Sequence, residues 1–108
     1  MKQVKLDPKT IDTLMRNLAG EDRKPSAFAV YMHIWYHTIG SGRRFESMSH
    51  QQIADATGFS KSTVQSAIRH LTRRQLIESH RAWPTATPEI MANKPSSFRK
   101  PKRKKSAA

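Results

Sequence analysis

The stretch on either side of Gly58 constrains this chain more than any other segment. Ser49 is a good helix N-cap, and Gln52 follows it at the spacing of a capping box. Gly58 ends this first helix, because glycine adopts the left-handed conformation of a helix end without steric cost. Ser60 is in turn a good N-cap for a second helix that begins near Lys61. The stretch therefore predicts two short helices joined by a tight turn.

The second of these helices is predicted to have one apolar face and one cationic face. Its apolar residues recur at i, i+3, i+4 and i+7 and so form one inward stripe, which consists of Val64, Ala67, Ile68 and Leu71. The outward face has hydrogen-bonding and basic side chains and no acid: Lys61, Ser62, Gln65, Ser66, Arg69 and Arg73. A face of this composition is suited to a polyanion.

The spacing Ala54-x3-Gly58-x5-Val64 has physical reasons. The small residue lets the helices approach, glycine makes the turn, and the β-branched residue packs between them. With these features, the stretch from Ile53 to Leu71 resembles the winged-helix branch of the helix-turn-helix proteins, which includes bacterial and phage regulators and replication proteins. Counting a Leu-Ile pair at 76–77, the resemblance covers roughly residues 26–90. It implies a DNA-binding fold that is mainly α with a small β wing.

Helices are also predicted before the turn. Asp7 followed by Pro8 is an N-cap and first-turn pair, so an extra N-terminal helix is expected to run to Ala19, with Gly20 beyond it. A second helix, 25–39, has two apolar stripes and is expected to pack on two sides, between the N-terminal helix and the helix-turn-helix pair. It is therefore predicted to be the centre of the core.

The wing is less regular in its sequence. Strands are predicted at 43–48 and 76–81, but the connecting loop 83–88 has two prolines and no glycine. Proline is confined to strand edges and bends, so the hairpin is expected to be long, irregular or only partly formed. Gln75 stands where the family commonly has glycine, which leaves the end of the second helix open by a residue or two. Trp83 is expected either to contact a sugar or base or to fold back onto the body.

The charge is unevenly distributed along the chain. There are 20 Lys and Arg against 8 Asp and Glu, a net charge of +12. Residues 94–108 hold seven of the basic residues and no acid, together with few apolar side chains. We therefore expect a DNA-binding domain at 1–93 and a disordered basic tail at 94–108. The tail is interpreted as an arm that tracks phosphates; a solubilising tail and a nuclear-targeting signal are the alternatives.

The resemblance and the charge of the tail together predict two groups of DNA contacts, since helix-turn-helix proteins lay the second helix in the major groove. The base-contacting candidates are Lys61, Ser62, Gln65, Ser66 and Arg69, with Arg69 suited to guanine and Gln65 to adenine. The phosphate-contacting candidates are Ser49, Ser60, Thr63, Arg73, Arg74, Arg81, Lys102, Arg103, Lys104 and Lys105. For the two serines and Thr63, helix capping is an alternative role. For Arg73 and Arg74, the alternative is interaction with the helix dipole.

Other chemistry is not indicated. His33 and His37 stand four apart on one helix, as a zinc pair would, but no third ligand has suitable spacing. No nucleophile–base arrangement or glycine-rich phosphate loop is present, so neither an enzyme nor a cofactor or small-molecule ligand is expected. The chain has no cysteine and no apolar run of membrane-spanning length, which indicates the cytoplasm, in association with the nucleoid.

Three functions remain open at this point. The leading hypothesis is a sequence-specific regulator of transcription that binds double-stranded DNA as a homodimer, since one recognition helix covers few base pairs. The N-terminal helix is the candidate dimer element, or it packs on its own domain. The alternatives are a plasmid or phage replication or partition factor and a nonspecific architectural protein. A general αα corner that never contacts DNA is disfavoured by the basic charge.

Overall fold

The computed structural model describes residues 8–93, so the predicted Asp7 cap and the predicted basic tail lie outside the described residues. Four helices and a three-stranded sheet make up the fold, which is mainly α with a small β wing, as the sequence predicts. The elements are α1 (Pro8–Leu14) continued by a π-helix (Met15–Glu21), α2 (Pro25–His37), a 3-10 turn (Ile39–Ser41), β1 (Glu46–Ser47), α3 (His50–Thr57), α4 (Lys61–Arg73), β2 (Ile77–His80) and β3 (Glu89–Ala92).

The N-terminal helix is longer than predicted. It does not end before Gly20 but continues to Glu21 in wider π turns, and the backbone N–H of Asp22 bonds to the carbonyl of Asn17 at 2.8 Å. The chain reverses instead at Arg23, which has a positive φ of 54°. Glycine alone is thus a poor stop signal here, because helical hydrogen bonds and a buried leucine, Leu18, carry the helix through it.

Helix α2 is the centre of the core, as predicted. Its buried residues include Tyr31, Ile34 and Trp35. It packs against the π-helix on one side and against α3, α4 and β3 on others. The Tyr31 hydroxyl donates to the carbonyl of Asn93 at 2.7 Å, which ties the helix to the end of the sheet, and burial raises the pKa of this phenol. The helix ends at His37, two residues before the predicted position.

The wing is a formed hairpin with an irregular loop. Strands β2 and β3 pair antiparallel, with Ile77 opposite Ala92 and His80 opposite Glu89. The two-residue strand β1 pairs with β3 on its other edge, so the order is β1-β3-β2. Pro88 does not interrupt the sheet, because its carbonyl accepts the N–H of Met48 at 3.1 Å. The strands are shorter than the predicted ones, and the hairpin connection spans 81–88.

No helix within residues 8–93 has the length and apolar character needed to cross a bilayer.

Gln75 occupies a backbone conformation that favours glycine. Its φ is 61°, and the N–H of Leu76 bonds to the carbonyl of Leu71 at 3.0 Å, which is the hydrogen bond of a Schellman helix end. The helix thus ends here without the glycine that the family commonly has. The cost of this conformation for a residue with a Cβ is carried by the rest of the fold.

Gln75→Gly is therefore expected to raise the free energy of unfolding by about 0.5–1 kcal/mol, because relief of the left-handed strain exceeds the added entropy of the unfolded chain. Chemical denaturation measures the difference. Gln75→Ala is the matched control, since it removes the same side chain but keeps the strain. Equal stability of the two variants would contradict the strain argument.

Candidate nucleic-acid interface

The corner between α3 and α4 is built by local hydrogen bonds. Ser49 and Gln52 form the predicted capping box, with the Ser49 hydroxyl accepting the Gln52 backbone N–H at 3.0 Å and the Gln52 side-chain Oε1 accepting the Ser49 backbone N–H at 2.8 Å. Gly58 has a φ of 84°, and its N–H closes α3 on the carbonyl of Ala54. The Ser60 hydroxyl caps α4 by accepting the Thr63 N–H at 3.1 Å. The sequence predicts all three of these caps correctly.

Helix α4 has the two faces that its periodicity predicts. The inward stripe is buried: Val64, Ala67, Ile68 and Leu71. On the opposite side Lys61, Ser62, Arg69 and Arg73 are exposed, and no acid occurs in the helix. Gln65 and Ser66 are half-buried on its two flanks. The exposed side of α4 is thus a cationic surface, which we call the outward face.

One flank of α4 borders a crevice that separates it from α3 and the wing loop. Side chains from all three elements line this crevice: Ser49, His50, Gln51, Lys61, Gln65, Arg81, Thr85, Ala86, Thr87 and Pro88. Burial lowers the pKa of His50, and the nearby charges of Arg81 and Lys61 lower it further. The contribution of Arg81 and Lys61 to this shift indicates that two positive charges lie near His50. We call this group of His50, Lys61 and Arg81 the wing-side cluster.

The wing loop is held by Arg81. Its guanidinium Nη1 donates to the carbonyl of Ala86 at 2.7 Å, and the Ala86 N–H bonds to the carbonyl of Trp83 at 2.9 Å. Trp83 is 62% exposed, so it is not folded back into the core. The loop therefore exposes a large aromatic side chain, two residues after Arg81 of the wing-side cluster.

The other flank of α4 contacts the segment that joins the π-helix to α2. The Lys24 ammonium donates to the Ser66 hydroxyl at 3.1 Å. Two residues earlier, one oxygen of the Asp22 carboxylate lies 2.7 Å from His70 Nε2 and 3.0 Å from Arg74 Nε. We call residues 22–24 the linker; it is fixed to α4 at three side chains.

Among the predicted phosphate contacts within residues 8–93, Arg74 is buried, which disagrees with its predicted role. Only 3% of its side chain is exposed, and its guanidinium is paired with Asp22 and lies 3.5 Å from the Asn17 side-chain oxygen. Arg74 is buried because it continues the buried stripe of α4, three residues after Leu71. It is a structural cation. Its neighbour Arg73 is exposed.

Two residues in contact with these flanks were missed by sequence reasoning. His50 is the first residue of α3, and a histidine after a capping serine is a detectable though weak signal. Lys24 had no signal, because its 42-residue separation from Ser66 is closed only by the tertiary fold. The tail residues Lys102, Arg103, Lys104 and Lys105 lie outside the described part of the chain.

His33 and His37 are neighbours, with ring centroids 4.5 Å apart in an edge-on arrangement. Burial lowers the pKa of His33, and His37 adds to the effect. Across residues 8–93, no group of three His, Asp or Glu side chains is placed to hold a metal ion.

A capped helix pair around a glycine turn, a cationic second helix and a β hairpin beside it define a DNA-binding protein of winged helix-turn-helix type. The model of a helix-turn-helix domain family matches residues 24–77, from the linker to the start of β2, and the chain belongs to this family. Proteins of this family are typically not enzymes. A search of curated proteins finds no match to the chain.

Proposed function

We propose that this protein is a sequence-specific regulator of transcription that places α4 in the major groove of double-stranded DNA. The observation that carries the proposal is the outward face of α4, which is exposed, cationic and free of acids. A face of this kind on a helix about 10–12 Å across fits a major groove about 12 Å wide. Its base-contacting side chains would be Lys61, Ser62, Gln65 and Arg69.

Phosphate contacts would come from the ends and flanks of this unit. The Ser49 and Ser60 hydroxyls already accept backbone N–H groups as caps, and Thr63 Oγ1 accepts the Ser60 hydroxyl at 2.9 Å. Phosphates would therefore bind mainly to the remaining free N–H groups of these helix ends. Arg73, His50 and Arg81 would supply the charged partners.

A homodimer is part of the proposal. Leu14 and Leu18 pack into the domain itself, which supports the structural role of the N-terminal helix. Its outer side has a shallow groove lined by Asp12, Met15, Arg16, Ala19 and Gly20, and Met15 is 46% exposed. Two copies bound through this side would contact half-sites about one helical turn apart.

Selection of bound duplexes from a random pool tests the function. A specific regulator should enrich one motif, and a dimer should enrich a palindrome whose half-sites are about 10 base pairs apart. The enriched site should bind about 10³-fold or more tightly than random duplex. An unenriched pool would refute sequence-specific recognition and favour the architectural alternative.

The basic residues 94–108 give a separate prediction. Their removal is expected to weaken binding to all duplexes alike and to reduce the slope of log K against log salt by up to about 6, because each neutralised phosphate contributes about 0.9. Titrations from low to moderate salt measure both quantities. The affinity ratio between selected and random duplex is the internal control and should not change. An unaltered slope would contradict the role of these residues as a phosphate-binding arm.

His50 predicts a pH dependence of binding. Its pKa is lowered in the free protein, and a phosphate beside it would raise the pKa. DNA binding would then be coupled to proton uptake, so affinity should rise as the pH falls between these two pKa values, by at most about tenfold per pH unit. Binding titrations from pH 8 to 5.5 measure this dependence.

His50→Gln should remove most of this pH dependence. His80→Gln is the matched control, since His80 is exposed on β2. If the two variants keep the same dependence as the parent protein, His50 does not contact phosphate.

A further inference from the structure

Lys24 stands where a helix normally does not have a lysine. It is the N-cap of α2, with Pro25 at the first helical position, and its side chain makes no capping hydrogen bond. Small polar residues are preferred at N-caps, and a cation is disfavoured there by the helix dipole. A residue that breaks a local rule points to a gain elsewhere.

The side chain of Lys24 is directed to α4 instead. Its ammonium donates to the Ser66 hydroxyl, which is neutral and does not compensate the charge. On α4, Ser66 has the exposed outward-face residues Ser62 and Arg69 on one side. On its other side is His70, which is paired with Asp22. A positive charge is therefore held on the flank of α4 opposite the wing.

The backbone of the linker is fixed on both sides of this lysine. The N–H of Lys24 bonds to the carbonyl of Leu18 at 2.8 Å, and its carbonyl accepts the N–H of Ala27 at 3.0 Å. Asp22 attaches the same segment to α4. The backbone of Lys24 is thus fixed, and its ammonium is held at the Ser66 hydroxyl.

Cations consequently border α4 on both flanks. Lys61 and Arg81 line the wing-side crevice, whereas Lys24 lies on the linker side. A helix in the major groove has a phosphate strand on each side of it. The wing-side cluster is suited to one strand, and Lys24 lies on the side of the other strand.

We propose that Lys24 binds a phosphate of the DNA strand on the side of the major groove opposite the wing, with Ser66 as its positioning residue. This inference rests on the proposed placement of α4 in the groove. It assigns to Ser66 the role of positioning the Lys24 ammonium, instead of the base contact that the sequence predicts. The linker then forms part of the DNA-binding surface together with the helix-turn-helix corner.

Lys24→Ser separates this role from a structural one, because serine is the better N-cap. We expect the variant to unfold at the same or a higher temperature, to bind every duplex more weakly, and to lower the slope of log K against log salt by about 0.9. Lys9→Ser, which removes the same charge from the exposed start of α1, should leave the slope unchanged. Ser66→Ala should weaken all duplexes alike and not alter preference at one base pair.

Single methylphosphonate substitutions in the selected duplex identify the phosphate. Neutralising the phosphate that Lys24 contacts should lower the DNA affinity of the parent protein but not that of Lys24→Ser. An unchanged affinity and salt slope in Lys24→Ser, or equal sensitivity of variant and parent at every phosphate, would overturn the inference while leaving α4 in the groove. If the parent protein itself showed no preference for the selected duplex over random duplex, the proposed function would instead be refuted.

Discussion

Asp22→Ala is expected to lower the free energy of unfolding by about 3 kcal/mol, because it leaves the charge of Arg74 buried without its carboxylate. The Arg74 side chain is 3% exposed and that of Asp22 is 16% exposed, so water has little access to the buried charge. In a domain of this size the loss corresponds to a fall in Tm of roughly 12–24 °C. Thermal and chemical unfolding measure the two quantities.

A second background isolates the cause. Arg74→Met replaces the buried cation by an apolar side chain of similar length, so no buried positive charge is left unpaired when Asp22 is then removed. Asp22→Ala should therefore cost less than about 1 kcal/mol when it is combined with Arg74→Met. Asp12→Ala, on the exposed side of α1, is the control for loss of an aspartate and should change stability by no more than about 0.5 kcal/mol. An equal cost of Asp22→Ala in both backgrounds would contradict the account.

Arg69→Ala is expected to reduce affinity for the selected duplex by about 5- to 150-fold, which corresponds to about 1–3 kcal/mol, and to remove preference at one base pair. The exposed guanidinium at the middle of the outward face can donate two parallel hydrogen bonds to guanine, which alanine cannot replace. Binding to the selected duplex and to its single-base variants measures both effects. Folding should be unaffected, since the side chain lies outside the core.

Arg73→Ala is the matched comparison. Arg73 lies on the same exposed face of α4 as Arg69 and is three residues after His70. As a phosphate contact it should weaken all duplexes by a similar factor and keep the base preference. If Arg69→Ala also weakened every duplex equally, its role as a base contact would be refuted, although α4 would still be a DNA-binding helix.

Local patterns determined the helix-turn-helix unit from the sequence alone. The capping box at Ser49, the left-handed Gly58 and the N-cap Ser60 depend on neighbours within four residues, so their geometry follows from the local chain. The apolar stripe of α4 follows equally from helical periodicity. For the same reason the central position of α2 was predictable from its two apolar stripes.

Signals that depend on competing local preferences were less informative. Gly20 predicts a helix end, but buried packing of Leu18 and the π turns carry the helix to Glu21. Two prolines predict a doubtful wing, yet β3 is paired on both of its edges, and these ladders stabilise the hairpin. Tertiary contacts outweigh local propensity in both places.

Long-range pairing was decided only by the tertiary structure. Arg73 and Arg74 are adjacent and chemically identical in the sequence, but the rotation of 100° per residue turns one to solvent and the other onto Asp22. Lys24 bonds to Ser66, and His50 lies near Arg81, through folds of the chain that no spacing rule specifies. Helix periodicity and capping act over a few residues and can be found in sequence, whereas the choice of partner for a charge depends on how whole elements pack.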